Sequence, residues 1–325
     1  MKTTLLPAGS FSQHHWKARD ILPWLLAAAV FYFLDGYLAL GTVIIIMIIA
    51  CMSLNLVLGY AGVETLGHAA FFGIGAYTAG LYAIHVSIEP VSGLLAAAIV
   101  AGVFGTVSGY FLLRMRSLTL LMLTLAVGMA VYEFANKWSS VTGGDDGLSG
   151  ISPGPLFGIF DFGLDGRTGY LYALGVLVLV FLLVRTIVDS PFGLSLRGIR
   201  ENISRMKLVG APVTGRLVVA YSLSGAIAGM GGALYAQTIQ VVGLESLSFD
   251  LSSNLLIMVV LGGLGRLYGP FIGAIIFLLV QDRAAAFSPQ HWMFAIGLIL
   301  ILSVRFSDNA FVAGIMARLK KVTKW

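Results

Sequence analysis

Residues 38–58 read LALGTVIIIMIIACMSLNLVL and decide the class of the fold. This run contains no Asp, Glu, Lys or Arg, and a helix that crosses a bilayer needs about 20 predominantly apolar residues. Its apolar character is continuous and does not alternate from one residue to the next. The run therefore predicts a membrane-spanning helix, and it argues against a strand of a membrane barrel.

Further apolar runs on both sides of this one predict an all-α, polytopic membrane protein with about ten transmembrane helices. The other runs cover residues 21–34, 67–84, 92–113, 117–135, 168–188, 217–239, 251–264, 268–280 and 292–304. Hydrophobic residues make up 58% of the 325 residues and charged residues only 11%, whereas about 25% is usual in soluble domains. This composition argues against a soluble enzyme, a disordered protein and a fibrous protein.

The basic residues indicate how the predicted helices are oriented. With ten alternating spans, 17 of the 20 Lys and Arg residues fall on the side of the N-terminus. Only Lys137, Arg167 and Arg283 fall on the other side. The positive-inside rule therefore places both termini in the cytoplasm.

This orientation divides the chain into a permease domain and two cytoplasmic ends. The predicted segments are 1–20 (N-terminal), 21–305 (transmembrane, with an outer loop 136–167 and a cytoplasmic loop 189–216) and 306–325 (basic tail). A signal peptide is another interpretation of residues 21–34. Asp35 follows that run where a small-residue cleavage site would be expected, so we predict a retained first helix.

The cytoplasmic loop 189–216 is predicted to contain a short amphipathic helix. Ser190 and Pro191 form a helix-start signal, and Gly210 and Pro212 end the helix. Its apolar positions are Leu196, Ile199, Ile203 and Met206, and its other faces are mostly charged, with Arg197, Arg200, Glu201, Arg205 and Lys207. The residues alone leave two interpretations open. The helix lies on anionic lipid headgroups, or it docks on a cytoplasmic partner protein.

A glycine-rich stretch from Gly59 to Tyr77 is the first candidate for a transport pathway. It holds Glu64 between glycines that can break a helix, and an acid inside a membrane tends to mark a pathway. A helix that restarts near Gly67 would direct its N–H groups at the break, which favours a carboxylate. The pathway residues predicted here are Gly62, Glu64, Thr65, Gly67 and His68. The alternatives are a tight loop with Glu64 at the membrane surface and, for His68, a structural hydrogen bond instead of a proton relay.

A second glycine-rich stretch, residues 262–274, adds Gly262, Gly263 and Gly265 to the predicted pathway. It is typical of close helix packing or of a second broken helix. A nucleotide-binding loop is disfavoured because the stretch has no strand–helix context and no Walker lysine follows it. No arrangement of residues suggests catalysis or a metal site, and Cys51 is the only cysteine.

Five motifs in order resemble the LivM-type permease subunits of bacterial branched-chain amino acid ABC importers, over about residues 47–305. The motifs are Gly-His-Ala-x-Phe at 67–71, Thr-Gly-Gly at 142–144, Leu-Arg-x-Ile-Arg-Glu-Asn at 196–202, Ala-Gly-x-x-Gly-Ala-Leu-Tyr-Ala at 228–236 and Leu-Gly-Gly-Leu-Gly at 261–265. Each motif is weak alone, but their order along the predicted spans is specific. The resemblance favours the docking interpretation of the cytoplasmic helix.

The resemblance implies the type II importer fold of BtuC- and ribose-permease-like proteins, in a bacterial inner membrane. It also implies a non-enzymatic subunit that moves branched-chain or other small hydrophobic amino acids into the cytoplasm by alternating access. The expected partners are a homologous second permease, two cytoplasmic ATPases that bind the ATP, and a periplasmic or lipid-anchored substrate-binding protein. No cofactor or nucleic acid is expected. The residues expected to couple the chain to the ATPases are Leu196, Ile199, Arg200, Glu201, Ile203, Met206 and Gly210.

Two departures from the family pattern keep other functions open. The family usually has a Ser after an apolar residue where this chain has Glu64-Thr65, and it usually has two Ala where this chain has Arg205-Met206. The first departure leaves a urea or short-amide importer as the alternative, and the second affects the details of the ATPase contact. An autonomous secondary transporter or channel that uses Glu64 and His68 is a rival of a different class, because it would need no ATPase.

Overall fold

The described part of the chain is a bundle of helices. The computed structural model describes residues 35–287 apart from residues 116, 157, 159, 164 and 165, together with residues 24, 27, 31, 32 and 297. Within these residues no β-strand is present. The helices are α1 (Leu38–Leu54), α2 (Ala69–His85), α3 (Pro90–Leu112), α4 (Ser117–Lys137), α5 (Arg167–Asp189), α6 (Pro191–Glu201), α7 (Ile203–Leu208), α8 (Val213–Ile239), α9 (Phe249–Gly262) and α10 (Gly269–Phe287). Short helical turns lie at Asp35–Tyr37, Ser139–Thr142, Gly144–Asp146 and Leu244–Leu247.

The helices follow the apolar runs of the sequence. Each of the eight runs predicted between residues 38 and 280 lies on one helix, and α1 continues into a π-helical turn, Asn55–Tyr60. In the part of the chain that the structure describes, five segments are long and apolar enough to cross a membrane, namely Leu38–Tyr60, Pro90–Leu112, Leu118–Lys137, Arg167–Asp189 and Val213–Ile239. The all-helical membrane fold is therefore confirmed. The number of spans stays a prediction, because two of the predicted runs, 21–34 and 292–304, lie largely outside the described residues. The predicted ends, 1–20 and 306–325, lie wholly outside them.

The amphipathic helix predicted in the loop 189–216 is two helices, not one. Ser190 caps α6 as predicted, because its side chain accepts a hydrogen bond from the Gly193 N–H. Asn202 then leaves the helical conformation, with φ −158° and ψ 100°, and its side chain accepts from the Arg205 N–H at the start of α7. Asn is a favourable capping residue, so it stabilises a new helix start at this point. The prediction of a single helix is therefore wrong, although Ile203 and Met206 of α7 still pack against the cluster that contains Leu196 and Ile199.

The longest helix, α8, packs closely on α2 and α3 through small residues. Gly75 of α2 faces Gly229 of α8, where a Cβ on Gly75 would lie 2.2 Å from the Gly229 carbonyl oxygen. A Cβ on Gly232 would lie 1.9 Å from the carbonyl oxygen of Phe72. Backbones that approach this closely are typical of helix packing in membranes, where small residues form the interfaces.

The helices α6 and α7 lie at one end of the bundle. Leu196 and Ile199 are fully buried there, in one apolar cluster with Val57 from the end of α1 and Leu217 from the start of α8. We call α6, α7, residues 61–63 and the loop 263–268 the basic end. At the opposite end, Leu148 and Val242 exchange two backbone hydrogen bonds of 2.8 and 3.0 Å, which join the outer-loop region to the segment after α8.

Candidate functional site

Two adjoining cavities lie at the start of α9. The smaller has a volume of about 220 Å³ and the larger about 820 Å³. Tyr132, Ser248 and Asp250 line both cavities, so the two spaces meet at these three side chains. The smaller cavity has mostly apolar walls, which include Leu66, Leu125, Met129, Leu247 and Phe249. The larger one is more polar and also borders Asp145, Glu245, Asn254 and Gln281.

These cavities lie where the starts of α2 and α9 meet. The Ala69 N–H, in the first turn of α2, donates to Ser252 Oγ of α9 at 2.8 Å. From this level α2 runs away from the basic end for 17 residues, and α9 runs toward it over the 11 residues from Ser252 to Gly262. At about 1.5 Å per residue these are paths of roughly 25 and 16 Å in opposite directions. The meeting level therefore lies between the two ends of the helix bundle.

The segment between α8 and α9 turns back into the bundle to reach this level. Gln240 begins the turn with a positive φ of 62°, and Leu247 then packs against Gly73 of α2. A Cβ on Gly73 would lie 2.2 Å from the Leu247 side chain, so only glycine permits this approach. Ser248 caps α9 by accepting from the Leu251 N–H at 3.1 Å. Irregular backbone at membrane depth is tolerated where it is buried or lines a cavity, and this segment does both.

The structure places the pathway residues predicted near Glu64 in different environments. Gly67 lines the smaller cavity and lies against α4, since a Cβ on it would be 2.0 Å from the Thr124 carbonyl oxygen. Thr65 is buried and its Oγ accepts from the Gly67 N–H at 3.3 Å. His68 is fully buried, with Nε2 2.8 Å from Ser53 Oγ of α1. Glu64 is exposed and lines neither of the two cavities.

The other predicted pathway glycines lie at the basic end, against the predicted coupling helix. A Cβ on Gly62, whose φ is 71°, would lie 2.8 Å from Arg200 Cγ. A Cβ on Gly265, whose φ is 73°, would lie 2.8 Å from Arg200 Nη1. Gly262 and Gly263 precede this contact and turn the chain from α9 toward α10. The structure therefore brings Gly62 and Gly265 together with Arg200, away from the two cavities.

Arg200 and Asn55 form a polar node that joins three segments at the basic end. The Arg200 guanidinium donates to the Gly59 carbonyl oxygen. Asn55, only 2% exposed, donates from Nδ2 to the Arg266 carbonyl oxygen and accepts at Oδ1 from the Gly265 N–H, both at 2.9 Å. We call Asn55, Gly59, Arg200 and Gly265 the arginine node. It connects α6, the end of α1 and the loop between α9 and α10.

The predicted coupling residues divide between the interior and the surface. Leu196 and Ile199 are fully buried in this chain, and Ile203 and Met206 pack partly buried against the same cluster. Glu201 is exposed, and Gly210 adopts a φ of 84° in the turn after α7. The most exposed large apolar side chains of the described residues lie between these positions, with Leu208 89% and Val209 78% exposed.

Sequence reasoning missed Asp250, Tyr132, Leu208 and Val209. Asp250 lies two residues after Ser248, a capping residue type, and directly before the short apolar run 251–264. This order is typical of an acid in the first turn of a short helix, so the sequence does carry a signal for Asp250. The sequence carries no comparable signal for Tyr132, which is one of two aromatic residues, with Phe134, in the apolar run 117–135. Leu208 and Val209 follow the apolar spacing of a helix, and only the break at Asn202 shows that they leave the core.

The comparisons with known proteins come from family models and from curated sequences. The family model described as "Branched-chain amino acid transport system / permease component" matches residues 36–304. The chain is 28% identical over 318 residues to the "High-affinity branched-chain amino acid transport system permease protein LivM" of Escherichia coli, covering 89% of this chain and 73% of that protein. The Salmonella typhimurium protein of the same name gives 28% identity with the same coverage.

An archaeal relative shows the same similarity at a greater distance. The "Probable branched-chain amino acid transport permease protein LivM" of Methanocaldococcus jannaschii is 27% identical over 270 residues. The match covers 72% of this chain and 76% of that protein. No solved structure matches the chain.

Proposed function

Because this chain belongs to the family of permease components of branched-chain amino acid transport systems, we propose that it forms part of the membrane pathway of an ATP-driven importer of these amino acids. The observation that carries this proposal is the family match over residues 36–304, which includes every helix α1–α10. The smaller cavity at the meeting of α2 and α9 supports it, because its walls are largely apolar.

The proposed complex contains a homologous second permease, two cytoplasmic ATPases and a substrate-binding protein outside the membrane. ATP binds to the ATPases, and this chain supplies the helices that alternate between two accessible states. The rival secondary transporter needs Glu64 and His68 on one path. It receives no support, because Glu64 is exposed, His68 is enclosed and neither lines the two cavities.

Ligand-dependent ATP hydrolysis tests the substrate class. The purified complex should hydrolyse ATP faster when its binding protein is loaded with leucine, isoleucine or valine than when the binding protein is empty. Urea and acetamide should give no stimulation. Stimulation by urea or a short amide, with none by leucine, would replace the amino acid importer with the alternative importer of the sequence analysis.

The basic end is proposed to face the cytoplasm. It carries Arg197, Arg200, Arg205 and Lys207, and cytoplasmic loops are enriched in Lys and Arg. In a Cys51→Ser background, Asp145→Cys should react with an impermeant maleimide in intact cells, and Lys207→Cys only after permeabilisation. The opposite pattern would contradict the orientation. Cys51 is buried, so its replacement leaves both labelling positions unchanged.

Leu208 and Val209 are proposed to be the apolar anchor for an ATPase. They are exposed at the tip of the basic end, whereas Leu196 and Ile199 serve the core of this chain. Buried apolar anchors at the centre of an interface each contribute about 2 kcal/mol or more, but charges at the rim contribute about 0–1 kcal/mol.

Leu208→Asp should therefore release the ATPases from the purified complex, with binding weakened at least about 30-fold. Leu208→Met keeps an apolar side chain at the same place and should copurify like the wild type. The measurement is the ATPase-to-permease ratio after affinity purification of this chain. An unchanged ratio for Leu208→Asp would favour the other interpretation of this segment, in which it lies on lipid headgroups.

A further inference from the structure

Asp250 carries a carboxylate without a charged partner at the level where α2 and α9 meet. Its side chain is exposed to the two cavities at the start of α9, and within the described part of the chain no Lys, Arg or His forms an ion pair with it. Ionisable groups inside a membrane are costly and mark substrate or ion pathways. No Lys, Arg or His lines either cavity, so a positively charged group of a ligand is the partner that this site lacks.

Two residues with hydroxyl groups, Ser252 and Tyr132, line the smaller cavity together with Asp250. Ser252 is 2% exposed and its Oγ accepts from the Ala69 N–H, which leaves its own hydrogen free to donate. Among the described residues that hydrogen has no acceptor. The Tyr132 hydroxyl lines both cavities and likewise has no hydrogen-bond partner in the described chain. A buried donor such as the Ser252 hydroxyl is costly to leave without an acceptor, so a ligand oxygen at this place would be stabilised.

The size and walls of the smaller cavity restrict the ligand. A volume of about 220 Å³ corresponds to about seven water molecules at roughly 30 Å³ each. This space suits one small amino acid. Leu66, Leu125 and Met129 provide an apolar wall for a hydrocarbon side chain. One carboxylate, two hydroxyl donors and an apolar wall match the three parts of a zwitterionic, hydrophobic amino acid.

We propose that the smaller cavity binds the transported amino acid, with the α-ammonium group on Asp250, the α-carboxylate at Ser252 and Tyr132, and the side chain against Leu66, Leu125 and Met129. This inference rests on the proposed function and specifies where selection for an amino group takes place inside the membrane. The larger cavity is the entrance, and Asp145 and Glu245 along it attract the ammonium end of the ligand.

The test measures uptake of radiolabelled leucine with the loaded binding protein present, and binding of leucine to the purified complex without the binding protein. Asp250→Asn should lower both at least about tenfold, because it removes a charge-assisted contact to the ammonium group. Asp250→Glu should restore part of both. Isocaproic acid, which is leucine without its amino group, should compete poorly with leucine in the wild type. In Asp250→Asn the difference between the two ligands should largely disappear.

Glu133→Gln is the matched control, because Glu133 is an exposed acid on α4 that lines neither cavity. It should change leucine binding less than threefold. Copurification of the ATPases and their basal ATP hydrolysis should be the same in all three variants. If the wild type transports leucine and Asp250→Asn transports and binds it equally well, the ammonium site is wrong and the proposed function stands. If the wild-type complex neither transports nor binds any branched-chain amino acid, the proposed function fails and the site with it.

Discussion

Gly232→Ala should prevent the permease from folding stably, although it adds a single methyl group. That Cβ would lie 1.9 Å from the Phe72 carbonyl oxygen and 2.8 Å from the Ala76 nitrogen, so α8 and α2 would have to separate along their contact. Overpacking of a core usually costs about 1–3 kcal/mol, and a clash with backbone belongs at or above the upper end of that range. The measurement is the yield of monodisperse protein and its thermal unfolding in detergent.

Gly215→Ala is the matched control in the same helix. A Cβ at Gly215 would meet no atom within 4 Å. Alanine has a higher helix propensity than glycine by up to about 1 kcal/mol, so this variant should be as stable as the wild type or slightly more stable. Equal stability of the Gly232→Ala and Gly215→Ala variants would contradict the close backbone contact between α8 and α2.

Arg200→Ala should uncouple ATP hydrolysis from transport. Arg200 is the point at which α6, beside the proposed ATPase anchor, contacts the end of α1 and the loop between α9 and α10. A hydrogen bond from a charged group contributes about 1.5–3 kcal/mol, so its loss should reduce the amount of leucine transported per ATP about 10- to 100-fold. Basal hydrolysis and copurification of the ATPases should persist, because Leu208 and Val209 are unchanged.

Asn55→Ala and Arg205→Ala separate this coupling role from general destabilisation. Asn55→Ala removes the two hydrogen bonds to the loop before α10 and should uncouple the complex in the same way. The Arg205 side chain is exposed on α7, and its replacement should leave the transport-to-hydrolysis ratio within about twofold of the wild type. If Arg200→Ala and Arg205→Ala transport the same amount of leucine per ATP hydrolysed, the arginine node has no role in coupling.

The sequence predicts the helices well because the physical signals for them are local. Continuous apolar runs locate the helical elements between residues 38 and 287, and Ser190-Pro191 locates the start of α6. The break at Asn202 is harder to predict. Asn is both an acceptable helix residue and a good N-cap, and only the tertiary contacts of Ile199 and Met206 decide between the two roles.

The site is less predictable, because it depends on which segments meet in space. In the sequence, Gly62 and Gly265 have the signature of broken helices in a pathway. In the structure, both positions need glycine for another reason, because Arg200 approaches both of them and the Gly59 backbone also approaches Gly265. Asp250 has the signature of a helix start near a membrane surface. Its depth follows only from the hydrogen bond between Ala69 and Ser252 and from the turn of residues 240–248 into the bundle.

Leucine accumulation in proteoliposomes tests the central claim most directly. The vesicles contain this chain, the homologous permease and the two ATPases, with ATP inside and the loaded binding protein outside. The account predicts accumulation of radiolabelled leucine against its gradient only when ATP and all subunits are present. Equal accumulation without the ATPases, or no accumulation by the complete complex, would contradict the assignment of this chain as a permease subunit of an ATP-driven amino acid importer.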